Sequence, residues 1–152
     1  MKPRANPYAN PDLVKPLIEF GNAVDQMGLE ASLLDLVKIR SSQINGCAIC
    51  LDMHVRDARQ RGESEERIYM LDAWRESTLY SERERAALCW TEALTRLPET
   101  RAPDDAYQVL ESQFDEQEQV KLTMLINVIN SFNRFGVGFR LRPSRHAARQ
   151  AA

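Results

Sequence analysis

Apolar residues recur along this chain at intervals of three and four, the spacing that places them on one face of a helix. Ser81 and Glu84 have the spacing of a capping box, and Asp115 and Glu118 give a second helix start of the same spacing. These patterns predict about seven helices, which begin near residues 11, 30, 47, 64, 81, 103 and 115. The fourth should end near Arg75, and the fifth should end at Leu97, before Pro98. We therefore expect an all-α protein.

The segment of residues 122–129 is apolar on nearly every side and rich in β-branched residues, so a buried strand is conceivable on propensity alone. We predict a helix there, because a capping signal precedes the segment and polar residues flank it. A helix with so many apolar faces also suggests that part of residues 122–135 is covered by another subunit.

Length and composition indicate one domain over residues 1–152, with a short irregular N-terminus and a basic C-terminal tail. The tail from Arg134 to Arg149 holds five arginines and no acid, whereas the whole chain carries a net charge of −2. No apolar run approaches the roughly 20 residues of a membrane-spanning helix, and residues 1–10 lack the apolar core of a secretory signal. We expect a cytoplasmic protein without nucleic-acid or membrane partners.

The candidate chemistry lies in Cys47-x-x-Cys50-x-x-x-His54, whose side chains share one face if the segment is helical. With Asn45 or Gly46 as the expected N-cap, the first-turn amides favour negative charge on both sulfurs. The imidazole of His54 offers a second route to a reactive thiolate. The spacing thus predicts a redox-active dithiol.

A thiolate that attacks a peroxide becomes a sulfenic acid, and a second thiol one turn away can condense with it to form a disulfide. A general disulfide oxidoreductase or redox sensor is one alternative. A non-enzymatic zinc-binding assembly module is another, although Cys47, Cys50 and His54 supply only three of four ligands and His146 lies far away in the tail. We expect neither a metal nor an organic cofactor, and we interpret Cys89 as a core thiol.

Two carboxylates could orient His54 or accept its proton. Asp57 lies three residues after His54 but also four before Arg61, so an exposed ion pair is the simpler expectation. Asp35 would face the cysteine helix if the two helices pack as a hairpin across Asn45-Gly46. From the sequence alone it is either a relay acid or a solvated helix charge.

With these residues in hand, the chain resembles the AhpD-like alkylhydroperoxidase family, within the carboxymuconolactone decarboxylase superfamily. The resemblance is carried by residues 38–54, KIRSSQINGCAICLDMH, and by the later element from Asn130 to Arg134. It extends over about residues 11–141. It implies an all-helical fold, a homotrimer or homohexamer, and a thiol-dependent peroxidase that needs no metal or organic cofactor. The decarboxylase branch lacks the cysteine pair, so decarboxylation is not favoured.

The resemblance also implies roles for the site residues. Cys50 would meet the peroxide, Cys47 would resolve the sulfenic acid, and His54 would relay protons together with Asp35. Asp35 stands where the family usually has Glu, and Ile49 stands where many members have Tyr. The reductant would be a lipoyl protein, a thioredoxin-like protein or a small thiol, and the identity of the peroxide stays open.

Overall fold

The structure is a computed structural model that describes Lys2 and residues 4–143. Within those residues it contains helices and no β-strand, which confirms the predicted all-α class. The eight helices are α1 (Pro11–Asp25), α2 (Ala31–Asn45), α3 (Ala48–Gln60), α4 (Glu65–Met70), α5 (Glu82–Thr95), α6 (Leu97–Thr100), α7 (Asp104–Glu111) and α8 (Glu116–Gly138). His146 and the end of the predicted basic tail lie outside the described residues.

The predicted helix starts agree with the capping geometry. The Ser81 and Asp115 side chains each accept a hydrogen bond from the backbone N–H of the residue three further on, and Glu84 and Glu118 return the bond, so both capping boxes are present. Ser64 caps α4 by accepting from the backbone N–H of Arg67 at 3.1 Å. These local side-chain bonds satisfy amides that a helix cannot pair internally.

Two helix boundaries differ from the predicted ones. The fourth helix was expected to run to about Arg75, but α4 ends at Met70 and the chain continues as a 3-10 turn, Leu71–Ala73. Pro98 was expected only to stop the fifth helix, yet it lies in the first turn of the short helix α6. A proline fits that position because the first amides of a helix need no internal acceptor.

Helix α8 packs against α1, α2, α3 and α5. Its ambiguous segment is helical, and Leu122, Leu125, Ile126, Val128 and Ile129 are all buried. The neighbouring helices of the same chain cover these apolar faces. The apolar centre of α8 therefore does not by itself call for a partner subunit.

A buried carboxylate joins α2 and α5 to the segment that follows α4. Glu92 accepts hydrogen bonds from Arg40 Nε at 2.8 Å and from Trp74 Nε1 at 2.9 Å, and it also pairs with Arg75. Because Arg40 and Glu92 are both buried, each compensates the charge of the other. Within the described residues, no helix combines the length and hydropathy needed to cross a membrane.

Candidate functional site

The turn between α2 and α3 places both cysteines. Gly46 ends α2 with φ at 66°, a left-handed conformation that glycine adopts readily, and Cys47 N then donates to Ser42 O at 3.0 Å. Cys47 itself is the N-cap of α3, not Asn45 or Gly46 as predicted from the sequence. Cys50 consequently lies in the first turn of α3, where helix amides and the helix dipole favour a thiolate.

Cys47 and Cys50 are joined in a disulfide, with 5.4 Å between their Cα atoms. Their separation lies within the ordinary range for a disulfide. Cys89 is a free thiol on α5, half-buried rather than part of the closed core, and burial raises its pKa. The sequence spacing thus identified the pair of sulfurs that the fold brings into bonding contact.

The two bonded sulfurs have different surroundings although both residues are buried. Cys50 lines a cavity of about 390 Å³. Cys47 lies beneath Gly136 of α8, and a Cβ atom built on that glycine would overlap with Cys47 Sγ and lie 3.4 Å from Cys50 Sγ. A reagent in the cavity therefore meets Cys50.

The cavity has an apolar wall and, around His54, a group of charged side chains that we call its charged end. Apolar lining comes from α1, α3 and α8, with Ile18, Ile49, Met53, Val128, Ile129 and Phe132. Charged or titratable lining comes from Asp25, Lys38, His54, Asp57 and Arg61. Such a division suits an amphipathic molecule whose polar end reaches Cys50 and His54.

His54 lies one turn after Cys50 on α3 and lines the same cavity. Burial, and after it the positive charge of Lys38, lower the pKa of His54 from 6.5 to about 4, although Asp57 and Asp25 act in the opposite direction. The imidazole is therefore neutral near neutral pH. A neutral imidazole can accept a proton from a thiol, but it holds that proton weakly.

Lys38 and Asp25 join the site from α2 and α1, and neither was predicted from the sequence to belong to it. Lys38 Nζ donates to Asp25 Oδ2 at 2.6 Å, and both residues line the cavity. A sequence signal did exist, because Lys38 lies between the apolar residues Val37 and Ile39, both of which the structure buries. A lysine at such a position needs a local partner or a polar cavity.

Asp35, the predicted relay acid, is buried at 2% exposure and forms a two-pronged ion pair with Arg61, in which Arg61 Nε donates to Asp35 Oδ2 at 2.9 Å. Arg61 lines the cavity, so Asp35 is linked to it through this guanidinium. The ion pair that the sequence suggested between Arg61 and Asp57 gives way to the one with Asp35. Asp57 instead lines the cavity beside His54.

An asparagine cluster fastens α8 to the turn before Cys47. Asn45 Nδ2 lies 2.9 Å from both Asn130 Oδ1 and Asn133 Oδ1, and Asn133 Nδ2 donates to Ser42 Oγ at 3.0 Å. Ser42 also accepts the backbone bond from Cys47. The Asn130 to Arg134 element thus holds α8 in register with the dithiol.

The zinc alternative depends on closely grouped ligands. Among the described residues, no three His, Cys, Asp or Glu side chains are arranged to hold a metal ion. Metal analysis of the purified protein is the direct test of that alternative.

Comparison with known proteins identifies the family. The Carboxymuconolactone decarboxylase family profile matches residues 11–93. The uncharacterised protein YdfG of Bacillus subtilis is 42% identical over 127 residues, which cover 84% of this chain and 86% of YdfG. Its sequence similarity therefore spans the dithiol and most of the helical core.

Solved structures share the fold. A protein of unknown function from Agrobacterium tumefaciens, described as a candidate AhpD antioxidant defence protein, is 46% identical with a TM-score of 0.90, over 93% of this chain and 98% of that one. The debrominase Bmp8 has a TM-score of 0.81 at 20% identity, over 90% of this chain and 73% of its own, which shows likeness of fold alone. This chain belongs to the carboxymuconolactone decarboxylase family, in its AhpD-like branch.

Proposed function

We propose that this protein is a thiol-dependent peroxidase that reduces organic hydroperoxides through Cys47 and Cys50. The observation that carries the proposal is the position of Cys50, which belongs to a bonded pair of cysteines and lines an apolar cavity next to His54. Family membership supports a peroxidase-related role. The apolar wall favours a hydroperoxide with a hydrocarbon body over hydrogen peroxide.

In the reduced protein, Cys50 would lose its proton to His54 and attack the terminal oxygen of the hydroperoxide. The S–O bond forms as the O–O bond breaks, which leaves a sulfenic acid on Cys50 and an alkoxide that takes up a proton to become the alcohol. Cys47 then attacks the Cys50 sulfur. The S–S bond forms, and the sulfenic oxygen leaves as water.

His54 suits transient proton transfer because its pKa is about 4, so the imidazole is free to accept a proton when the thiolate forms. The relay role of Asp35 stays a prediction from the family resemblance. Its carboxylate is bound by Arg61, so we expect its influence on His54 to pass through Arg61 or through water.

Two electrons must return from an external thiol for the next cycle. The reductant would attack Cys50, because Cys47 is covered by Gly136. A slender dithiol such as a lipoyl arm, or a small thiol, suits a cavity of about 390 Å³ better than a broad protein surface does. A thioredoxin-like protein is the alternative reductant. We further propose that the enzyme works in the reducing cytoplasm as a homotrimer or homohexamer.

Peptide mapping after one equivalent of cumene hydroperoxide tests the proposal. The reduced protein should consume the peroxide rapidly, form the Cys47–Cys50 disulfide and leave Cys89 reduced. A Cys89→Ser variant is the matched control, and it should react at the same rate. If Cys47 and Cys50 oxidise no faster than Cys89, the peroxidase proposal fails. Exchange with disulfides but not with peroxides would instead support a disulfide oxidoreductase.

A further inference from the structure

The charged end of the cavity contains two cations that are held in different ways. Arg61 is an exposed residue whose guanidinium is engaged by both carboxylate oxygens of Asp35. The Lys38 side chain is only 14% exposed, and one of its three N–H donors is directed to Asp25 at 2.6 Å. The Lys38 ammonium therefore retains donors for a ligand in the cavity.

Reduction of an alkyl hydroperoxide requires a proton donor in addition to the attacking thiolate. When the O–O bond breaks, the departing group is an alkoxide, a strong base that needs a proton as it leaves. His54 accepts the Cys50 proton when the thiolate forms, but with a pKa of about 4 it passes that proton to water before the peroxide reacts, so it holds no proton for the alkoxide near neutral pH. Lys38 carries a positive charge and an available proton, and it lines the same cavity as Cys50.

We propose that Lys38 is the general acid that protonates the alkoxide expelled from the hydroperoxide. The inference rests on the proposed peroxidase function. As Cys50 sulfur bonds to the terminal oxygen, the O–O electron pair moves to the alkoxide oxygen, which takes a proton from the Lys38 ammonium. The products are the Cys50 sulfenic acid, a neutral alcohol and a neutral Lys38 amine.

Asp25 acts as the positioning residue for this step. Its carboxylate holds the ammonium at the cavity wall, and its side chain is 38% exposed. It thus connects Lys38 with water, from which the amine recovers its proton after the alcohol leaves. The arrangement also explains why a lysine is tolerated between the buried residues Val37 and Ile39 of α2.

The leaving group of the peroxide provides a direct test. Tert-butyl hydroperoxide expels a strongly basic alkoxide, whereas peracetic acid expels acetate, which leaves without a proton. We would measure Cys50 oxidation by both peroxides in the reduced protein, carrying Cys89→Ser so that one dithiol reports. Lys38→Met should slow the reaction with tert-butyl hydroperoxide on the order of 10²-fold, and the rate with peracetic acid should stay close to that of the parent.

Lys15→Met is the matched control, because Lys15 is an exposed lysine on α1 that pairs with Glu19. It should leave both rates unchanged. If Lys38→Met does not fold, Asp25→Asn combined with Lys38→Gln removes both charges of the pair and should show the same selective loss. Thermal unfolding of each variant confirms the native state.

Equal slowing with both peroxides, together with a raised thiol pKa in iodoacetamide alkylation, would overturn the inference. Lys38 would then stabilise the Cys50 thiolate and not the leaving group. Unchanged rates with both peroxides would also overturn it. A parent protein that reacts with neither peroxide would refute the peroxidase proposal itself, so the two failures are distinct.

Discussion

Gly136 of α8 lies so close to Cys47 that a methyl group on the glycine would overlap with the Cys47 sulfur. The same methyl group would lie 3.2 Å from Ile49 Cγ2, so a small shift of the helix away from Cys47 is restricted by Ile49. Helix α8 therefore covers one sulfur of the pair, and the other faces the cavity. This contact gives two chemically identical cysteines unequal access to solutes.

We expect Gly136→Ala to destabilise the oxidised protein, because α8 must move away from the disulfide to admit the methyl group. The cost should be about 1–3 kcal/mol, typical of overpacking, and urea unfolding measures it. Gly138→Ala is the matched control, since a Cβ there meets no atom within 4 Å. Equal stability of the two variants would show that α8 can move away at little cost and does not tightly cover Cys47.

The unequal access of the sulfurs leads to a trapping prediction. Cys47→Ser should leave a stable sulfenic acid on Cys50 after peroxide treatment, because the resolving thiol is gone. Cys50→Ser should abolish rapid peroxide consumption. Mass spectrometry of dimedone-labelled peptides distinguishes the two sites. Rapid formation of a sulfenic acid on Cys47 in the Cys50→Ser protein would reverse the proposed roles.

Variants of Asp35 test whether it relays protons. Asp35→Asn should slow peroxide reduction while the protein stays folded, and Asp35→Glu should preserve or raise the rate, because Glu is the residue that the AhpD-like family usually has there. Stopped-flow oxidation of the reduced proteins measures both effects. Arg61→Lys reports separately on the ion pair that binds Asp35. Equal rates for the parent protein, Asp35→Asn and Asp35→Glu would show that this carboxylate has no part in the mechanism.

The lowered pKa of His54 predicts loss of stability in acid. The unfolded chain binds a proton at this residue below pH 6.5, but the folded chain resists protonation until about pH 4. Stability therefore falls as the pH decreases through this interval, by roughly 3 kcal/mol at its lower end. His54→Asn should lose that part of the pH dependence. Parallel unfolding curves against pH for the two proteins would contradict the burial of a neutral imidazole.

Glu92 should be among the costliest polar side chains to remove. Glu92→Ala removes the buried carboxylate that pairs with Arg40 and leaves only the exposed Asp72 as its ion-pair partner, and the loss of a buried pair typically costs about 3–5 kcal/mol. Arg75→Ala is the control, because Arg75 is half exposed and can regain water. Chemical denaturation compares the two variants. A small effect of Glu92→Ala would mean that water or Asp72, which also pairs with Arg40, replaces the lost carboxylate.

The sequence by itself determined the helices and the reactive pair of cysteines. Helix caps at Ser81 and Asp115 are local, since each depends on residues three apart, and the same short-range geometry brings Cys47 and Cys50 together. Membership of the AhpD-like branch was also recognisable from the residues around the pair. Such features can be read from a sequence because they depend only on residues that are close together in the chain.

Tertiary packing decided which sulfur faces the cavity and which charges surround it. The covering of Cys47 depends on Gly136, and Lys38 meets Asp25 only because α1 and α2 pack together. Asp35 could likewise not be assigned to Arg61 from spacing, because the spacing of four residues paired Arg61 with Asp57 instead. Contacts between residues far apart in sequence are set by the packing of whole helices, so only the folded chain distinguishes the cavity-facing thiol from the sealed one.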